Sequence, residues 1–460
     1  MAMERRERQN LNHTHNSHPN RRIEKGGLQD LDLNSWVRIG LASRRDEIFV
    51  NLFTHFNAEN LRQAFHALDP SKAKGIDGVS KYNYGQKLEE NIENLLSRLH
   101  RKTFRPTAKR QVMIPKANGK KRPIAISIFE DKMVEWVLAK ILESVYEPAF
   151  VKHSYGFRPG KSAHNAVEVC FDALRKNERP FVVEIDLENF FNTVSHRKLM
   201  RLIFKRIRDP RMLGIISRFL RCKILNEDGQ LIKQDRGTPQ GSIMSPILAN
   251  IYLHYVLDLW FQENYISSSR MMVRYADDVI FLFADEQEAK DFTVALQQQL
   301  TKAELALNED KTHITDMRKT QVNVFHFLGF TFYWAMKKSK QQRILSIKTA
   351  KPALHSKIRD YTAWIKRYRN QIRTEDLWEK TAAKLRGHYE YYGYFCNKSK
   401  LNHYYFAVLS DLFKWLNRRS QKRSYSWEKF KRRLQHLPLP KPPTMSALKS
   451  IGWDPYAIAR

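Results

Sequence analysis

Cysteine is nearly missing from this sequence: Cys170, Cys222 and Cys396 are the only three in 460 residues, far apart and never in a CxxC pair. That excludes a paired-cysteine zinc finger and a disulfide framework, and fits buried thiols in a reducing, cytoplasmic setting. Long apolar runs are missing too, so the sequence offers no candidate spanning helix. Met1 to Arg45 lacks the apolar stretch of a secretory signal and reads as a mobile polar tail. Its His13, His15 and His18 have nothing nearby to fix them as metal ligands. Acid is scarce: 48 Asp and Glu stand against 80 Lys and Arg, a net charge of +32. Such a surplus repels itself and calls for a polyanion, nucleic acid before a membrane surface. The 42% hydrophobic content suffices for more than one cored unit.

The surplus is uneven. Residues 331–460 hold 29 Lys and Arg against 8 Asp and Glu, or +21 of the +32. The pattern predicts a moderately basic body and a strongly basic C-terminal module. Apolar residues recur at helical spacing between Asp46 and Leu99 (Ile48, Leu52, Phe56, then Leu61, Phe65, Leu68), broken by a turn at Gly75 to Gly78. Gln111 to Pro115 and Arg122 to Ile126 flank a Gly-containing loop and read as a hairpin. Glu130 to Tyr146 reads as an amphipathic helix and Pro180 to Leu187 as an apolar strand. Ser245-Pro246 reads as the N-cap and first turn of a helix running to about Trp260. Long basic-faced helices are expected from Lys351 until the prolines after His436.

Chemistry concentrates in four segments. Met271 to Phe283 reads as two apolar strands joined at Asp277-Asp278, which leaves both acids at the exposed tip. Alone, such a pair merely solvates a turn. Asp186 changes that reading, because Val182 to Ile185 is another apolar strand ending at a carboxylate. Three acids converging from two segments repel unless cations sit between them, and magnesium is the natural one. Two such ions support in-line phosphoryl displacement. The segment Gly237 to Pro246 holds glycines that admit close approach of a ligand, with Gln240 placed to touch a base or sugar. A hairpin carrying Lys116 and Arg122 is either a triphosphate clamp or a solvated basic turn.

In this order the four segments resemble the reverse transcriptases and maturases encoded by bacterial group II introns. Tyr275-Ala276-Asp277-Asp278 is similar to that family's catalytic turn, and Asp186 matches its first catalytic aspartate. Further matches are Gln240-Gly241 to Ser245-Pro246 with Ala249 to Leu253, Ser154 to Gly160, Gly75 to Gly78 and Phe327 to Phe330. The resemblance runs from roughly residue 46 to 435. It implies that Asp186, Asp277 and Asp278 bind two magnesium ions, with manganese as a substitute. It also implies that Lys116, Arg122 and Gln240 hold the incoming deoxynucleotide and that Phe191 rejects a ribose hydroxyl. A flat ring there occupies the volume the hydroxyl would need, and Phe190 is the better candidate for the core.

The implied fold is α+β: a right-hand polymerase with an antiparallel palm sheet, then a helical thumb and maturase domain. The expected boundaries are a tail at 1–45, a helical extension of the fingers at 46–96, fingers and palm at 97–330, thumb and maturase at 331–436, and a Pro-containing tail at 437–460. Cations mixed with aromatics after residue 380 suit RNA, with Arg386, Arg418, Arg419, Lys422, Arg423, Lys431, Arg432 and Arg433 as candidate contacts. His388 departs from the family, many of whose members have Trp there. The family's endonuclease signature is not expected in this sequence. The partners implied are an RNA template, above all group II intron RNA, a DNA primer or target, and dNTPs, with no membrane. Oligomeric state is not legible. Two alternatives stay open: a free-standing enzyme used in host repair or phage defence, and a non-catalytic splicing chaperone.

Overall fold

The computed structural model describes residues 35–44, 47–115, 121–319, 322–337, 342–419 and 425–444. Residues 1–34 with the His patch, Lys116, Lys422, Arg423 and the chain beyond Thr444 lie outside the described residues, whereas the end of the expected mobile tail is a helix, Ser35–Ser43, with Ile39 buried in the core. The described chain divides into two compact units, 34–328 with 332–345, and 329–331 with the residues from Ser346 onward. The class is α+β.

The first unit carries two four-stranded sheets. In one, β1 (Lys109–Pro115) and β2 (Lys121–Ile126) form an antiparallel hairpin in which Ile114 faces Arg122. Strand β4 (Ile224–Leu225) runs parallel to β1, and β5 (Leu231–Ile232) closes that edge. The other sheet is antiparallel throughout, in the order β6-β7-β3-β8. Its strands are β3 (Phe181–Ile185), β6 (Arg270–Tyr275), β7 (Asp278–Phe283) and β8 (His313–Asp316). Apolar side chains on both pleats of β3 and β7 are buried, because helices cover both faces. On one face Phe292, from the helix Glu286–Lys302, packs against Phe281 and Phe283 with ring centroids 4.5 and 4.9 Å apart. The helix Ala163–Arg175 lies against β6. The 18-residue helix Phe129–Tyr146 buries Met133, Val134, Val137, Leu138, Ile141 and Leu142, the recurrence expected of a stripe facing a core.

The helix after the glycine loop differs from its expected form. Ser245 is not an N-cap; Met244 holds that position, and Ser245 Oγ donates to the Pro239 carbonyl at 2.8 Å. Ser245 therefore fastens the glycine loop to the helix. Nor does the helix end near Trp260. It runs Ser245–Leu253, passes through a π-turn at His254–Asp258, and resumes as Leu259–Asn264.

Residues 331–349, expected inside a helical module, are mostly strand. Strands β9 (Val324–Phe327), β10 (Phe330–Lys337) and β11 (Gln342–Thr349) form a three-stranded sheet with β10 in the middle. The run Phe330-Thr331-Phe332-Tyr333-Trp334 is β-branched and aromatic, which suits a pleated surface better than a helix. The basic charge of the C-terminal stretch hid that preference.

The helices Lys351–Tyr368, Thr374–Tyr392, Lys398–Leu416 and Trp427–His436 make up most of the second unit. Their shared core includes Ile365, Leu377, Leu385, Leu401, Leu412 and Phe430. His388 is buried in it, stacked on Tyr404 at 3.7 Å between ring centroids, with no hydrogen-bond partner for either ring nitrogen among the described residues. Burial, and then the charge of Lys357, lower its pKa to about 3. The unfolded chain takes up this proton below about pH 6.5 and the folded chain does not. Stability is therefore complete above that pH and is lost as pH falls toward 3, by roughly 2 kcal/mol at pH 5. His388→Phe is expected to flatten this part of the stability profile between pH 7 and 5, as read by urea unfolding. An unchanged slope would remove His388 from the account.

Candidate active site

The carboxylates are placed by strand register. In the β3–β7 pairing Ile185 faces Val279. Continuing that register sets Asp186 opposite Asp278, and such positions lie about 4.5–5.5 Å apart at Cα. Strands β6 and β7 join through Ala276-Asp277, with Tyr275 paired to Asp278. Ala276 has φ +57°. This left-handed conformation is what a two-residue hairpin needs at its first central position, usually supplied by glycine. The turn thus lifts Asp277 and Asp278 at the rim of the sheet, beside the end of β3.

Electrostatics mark the same place. Burial raises the Asp277 pKa, with Asp186 adding to the rise and Arg122 and Arg274 opposing it. Lost hydration, then the charges of Asp277 and Asp186, push Asp278 up to about 7, with Lys311 and Arg122 opposing. Asp278 nevertheless keeps an exposed face, which is where a cation would enter. The side chains are not drawn into a ready-made ligand cluster: among the described residues no group of three acidic, His or Cys side chains is assembled to hold a metal. Asp186 instead pairs with Lys311, Nζ to Oδ2 at 3.0 Å, both groups well exposed. Such a pair is worth at most about 1 kcal/mol, little against a divalent ion. Three mutually repelling acids at one rim fit a cation chemically, and the backbone register brings them within reach of one another.

A cavity of about 160 Å³ is lined by Phe191, Gly237, Thr238, Gln240 and residues of β1 and β2. Two glycines build it. Gly237 (φ +89°) sits so close to the carbonyls of Phe191 and Asn192 that a Cβ would lie 2.9 Å from each. Gly241 (φ +101°) does the same against β2, where a Cβ would lie 2.8 Å from the Ala125 carbonyl. The Thr238 N–H donates to the Phe191 carbonyl at 2.7 Å, and the Ala125 N–H to the Gln240 carbonyl at 2.7 Å. Glu135 anchors the loop from beneath, accepting from the Ile243 N–H at 2.9 Å while paired with buried Lys109. Phe190 points into the core and Phe191 into the cavity wall.

Arg122 is exposed on β2, near enough to oppose the pKa rise of both turn aspartates. In the second unit Arg386, Arg418, Lys431 and Arg432 are exposed. Two other cations there are tied down. Arg433 donates to Tyr425 Oη at 2.6 Å and pairs with Glu375, and Arg419 donates to the Ile372 carbonyl at 3.3 Å. The sequence reading missed Lys311, in a polar loop with no pattern to single it out. It also passed over Asp258, and quoted Asn250 only within a family block. A polar residue in the run Ala249-Asn250-Ile251 was a usable signal that something polar is buried there.

With this geometry in place, similarity to known proteins is specific. Residues 114–332 match the family model for reverse transcriptase (RNA-dependent DNA polymerase). The group II intron-encoded protein LtrA of Lactococcus lactis subsp. cremoris is 34% identical over 241 residues, 50% of this chain and 39% of LtrA. The 91 kDa protein in the cob intron of Schizosaccharomyces pombe is 38% identical over 190 residues, 41% of this chain and 22% of that one. Protein YkfC of Escherichia coli K12 is 29% identical over 308 residues, 59% of this chain and 79% of that one. The chain thus spans well under half the length of the first two. Segment 114–332 is therefore similar to reverse transcriptase domains, on a chain whose relatives include a group II intron-encoded protein.

Proposed function

We propose that this protein is an RNA-directed DNA polymerase of the group II intron type, and that it binds intron RNA as a maturase. The observation that supports the reading is the register of β3 against β7, in which Ile185, next to Asp186, faces Val279, next to Asp278. Reverse transcriptase domains use divalent metals, and Asp186, Asp277 and Asp278 are the groups that would hold two magnesium ions here, or manganese in their place. Bound there, the metal would ease ionisation of the primer 3′-hydroxyl and offset charge on the departing pyrophosphate.

The chain's own residues do the rest. Arg122, together with Lys116, meets the triphosphate. Gln240 orients the incoming nucleotide through a loop that two glycines seat on the Phe191 backbone and on β2. Phe191 occupies the volume a ribose hydroxyl would need. Exposed Arg386, Arg418, Lys431 and Arg432, together with Lys422 and Arg423, meet RNA phosphates. Arg419 and Arg433 shape the same surface through their internal bonds. The basic charge after residue 331 suits a large folded RNA, which supports splicing assistance to the intron and a cytosolic setting beside nucleic acid.

The test is primer extension on poly(rA) with oligo(dT), dTTP and magnesium. Wild-type protein is expected to make labelled DNA, and a chelator to stop it. Absence of product with magnesium and with manganese, on RNA and on DNA templates alike, would end the polymerase reading.

A further inference from the structure

Beneath the Asp277-Asp278 turn lies a buried polar network that touches none of the reacting atoms. Arg274, the last residue but one of β6, is fully buried, as is Asp258. Its Nε donates to Asp258 Oδ1 at 2.7 Å and its Nη2 to Asp258 Oδ2. The third nitrogen faces the turn: Nη1 donates to Asn250 Oδ1 at 2.9 Å and to the Ala276 carbonyl at 3.1 Å. Asn250 in turn donates to the Gly156 carbonyl at 2.7 Å. A Cβ on Gly156 would run into the Ala276 nitrogen, so only glycine lets the segment 154–156 lie under the turn. That segment is stitched to β6 on both sides of Arg274, by the Tyr155 N–H to the Arg274 carbonyl at 2.8 Å and the Arg274 N–H to the His153 carbonyl at 2.9 Å.

Asn250 and Asp258 reach one guanidinium because of the π-turn. Eight residues along a regular α-helix leave two side chains about 80° apart in azimuth. A π-turn holds more residues per turn, so passing through His254–Asp258 rotates Asp258 back toward the face of Asn250. Buried charge and π-turns both cost stability, and each needs a compensating reason to persist. Ala276 supplies that reason: a non-glycine residue held left-handed is strained, and its carbonyl is where the network ends.

We propose that Arg274 is a positioning residue. Held by Asp258 and Asn250 across the π-turn, it clamps the Ala276 carbonyl and so fixes the Asp277-Asp278 turn in the conformation that receives divalent metal. The inference rests on the polymerase reading for its consequence, and on geometry alone for the clamp.

The experiment compares Arg274→Lys and Asn250→Ala with wild type in the full chain. Arg274→Lys keeps a cation for Asp258 and loses the fork. Four quantities are read: Mn2+ affinity by calorimetry without nucleic acid, kcat and KM for dTTP in primer extension, and the melting temperature. Arg274→Lys is expected to weaken Mn2+ binding about tenfold and lower kcat 30- to 100-fold, with KM for dTTP within threefold. Asn250→Ala is expected to shift the same quantities in the same direction by about a third as much on a logarithmic scale. Variants that are folded at the assay temperature yet bind Mn2+ and turn over like wild type would overturn the clamp. So would a loss of kcat with unchanged Mn2+ affinity. If wild type binds Mn2+ but makes no DNA, the polymerase reading fails while the Mn2+ comparison still decides the clamp.

Discussion

Asp278→Asn is expected to lower the rate of DNA synthesis by about 10³-fold or more, the scale of several kcal/mol of lost transition-state stabilisation, while making the metal-free protein more stable. The two effects share a cause. Lost hydration and the neighbouring charges of Asp277 and Asp186 push the Asp278 pKa up to about 7, above the ordinary 3.8 of the unfolded chain. The ionised form is therefore disfavoured in the fold. The cost is absent below the unfolded value, grows as pH rises through the interval to 7, and is complete above it. An uncharged Asn escapes that cost. Asp278→Asn should melt above wild type at pH 8 in the presence of a chelator, and the gap should narrow as pH is lowered toward 4. Adding magnesium at pH 8 should raise the wild-type melting temperature and leave the variant nearly unmoved. A variant that loses activity and stability together would show that Asp278 is structural.

The second large effect concerns the sugar. Phe191→Val should raise the efficiency of ribonucleotide incorporation relative to deoxynucleotide by about 10²-fold, with little change in the use of dTTP itself. Valine is the better variant because Phe191 packs in part against the core, and full truncation to Ala risks a folding cost of a few kcal/mol. The ratio of rUTP to dTTP kcat/KM, measured on one primer and template, decides the matter. Unchanged discrimination in a folded variant would strip Phe191 of the role.

Much of this was legible because it depends on local pattern. Apolar runs on both sides of Asp277-Asp278 and before Asp186 mark strand ends whatever the tertiary fold. The glycines of the Gly237–Gly241 loop announce close approaches, which the structure locates at the Phe191 and Ala125 backbones. What could not be read depends on distant pairing. Lys311 follows Asp186 by 125 positions and meets it only because β8 lies beside β3. The π-turn leaves no periodicity strong enough to distinguish it from a continuing helix, so nothing in the sequence singles out Asp258. Strands β10 and β11 were obscured for a different reason. The charge count drew residues 331–349 into the basic module, although their aromatic and β-branched run argues for strand.

Similar weight falls on what surrounds the acids. Arg122, on the β1–β2 hairpin of a separate sheet, opposes the pKa rise of Asp277 and Asp278 through its charge. Glu135 fixes the Gln240 loop from a third direction. A rim held from several sides can keep like charges close without metal, which is the arrangement a metal-dependent phosphoryl transfer needs before substrate arrives.

The account stands on Asp186, Asp277 and Asp278 holding divalent ions together. Anomalous diffraction from crystals soaked in Mn2+ tests this most directly. It should place manganese between the Asp186 and Asp278 carboxylates with Asp277 as a further ligand, and Lys311 should have moved off Asp186. Manganese found elsewhere with this rim empty, or bound to the turn while Asp186 stays paired to Lys311, would contradict it.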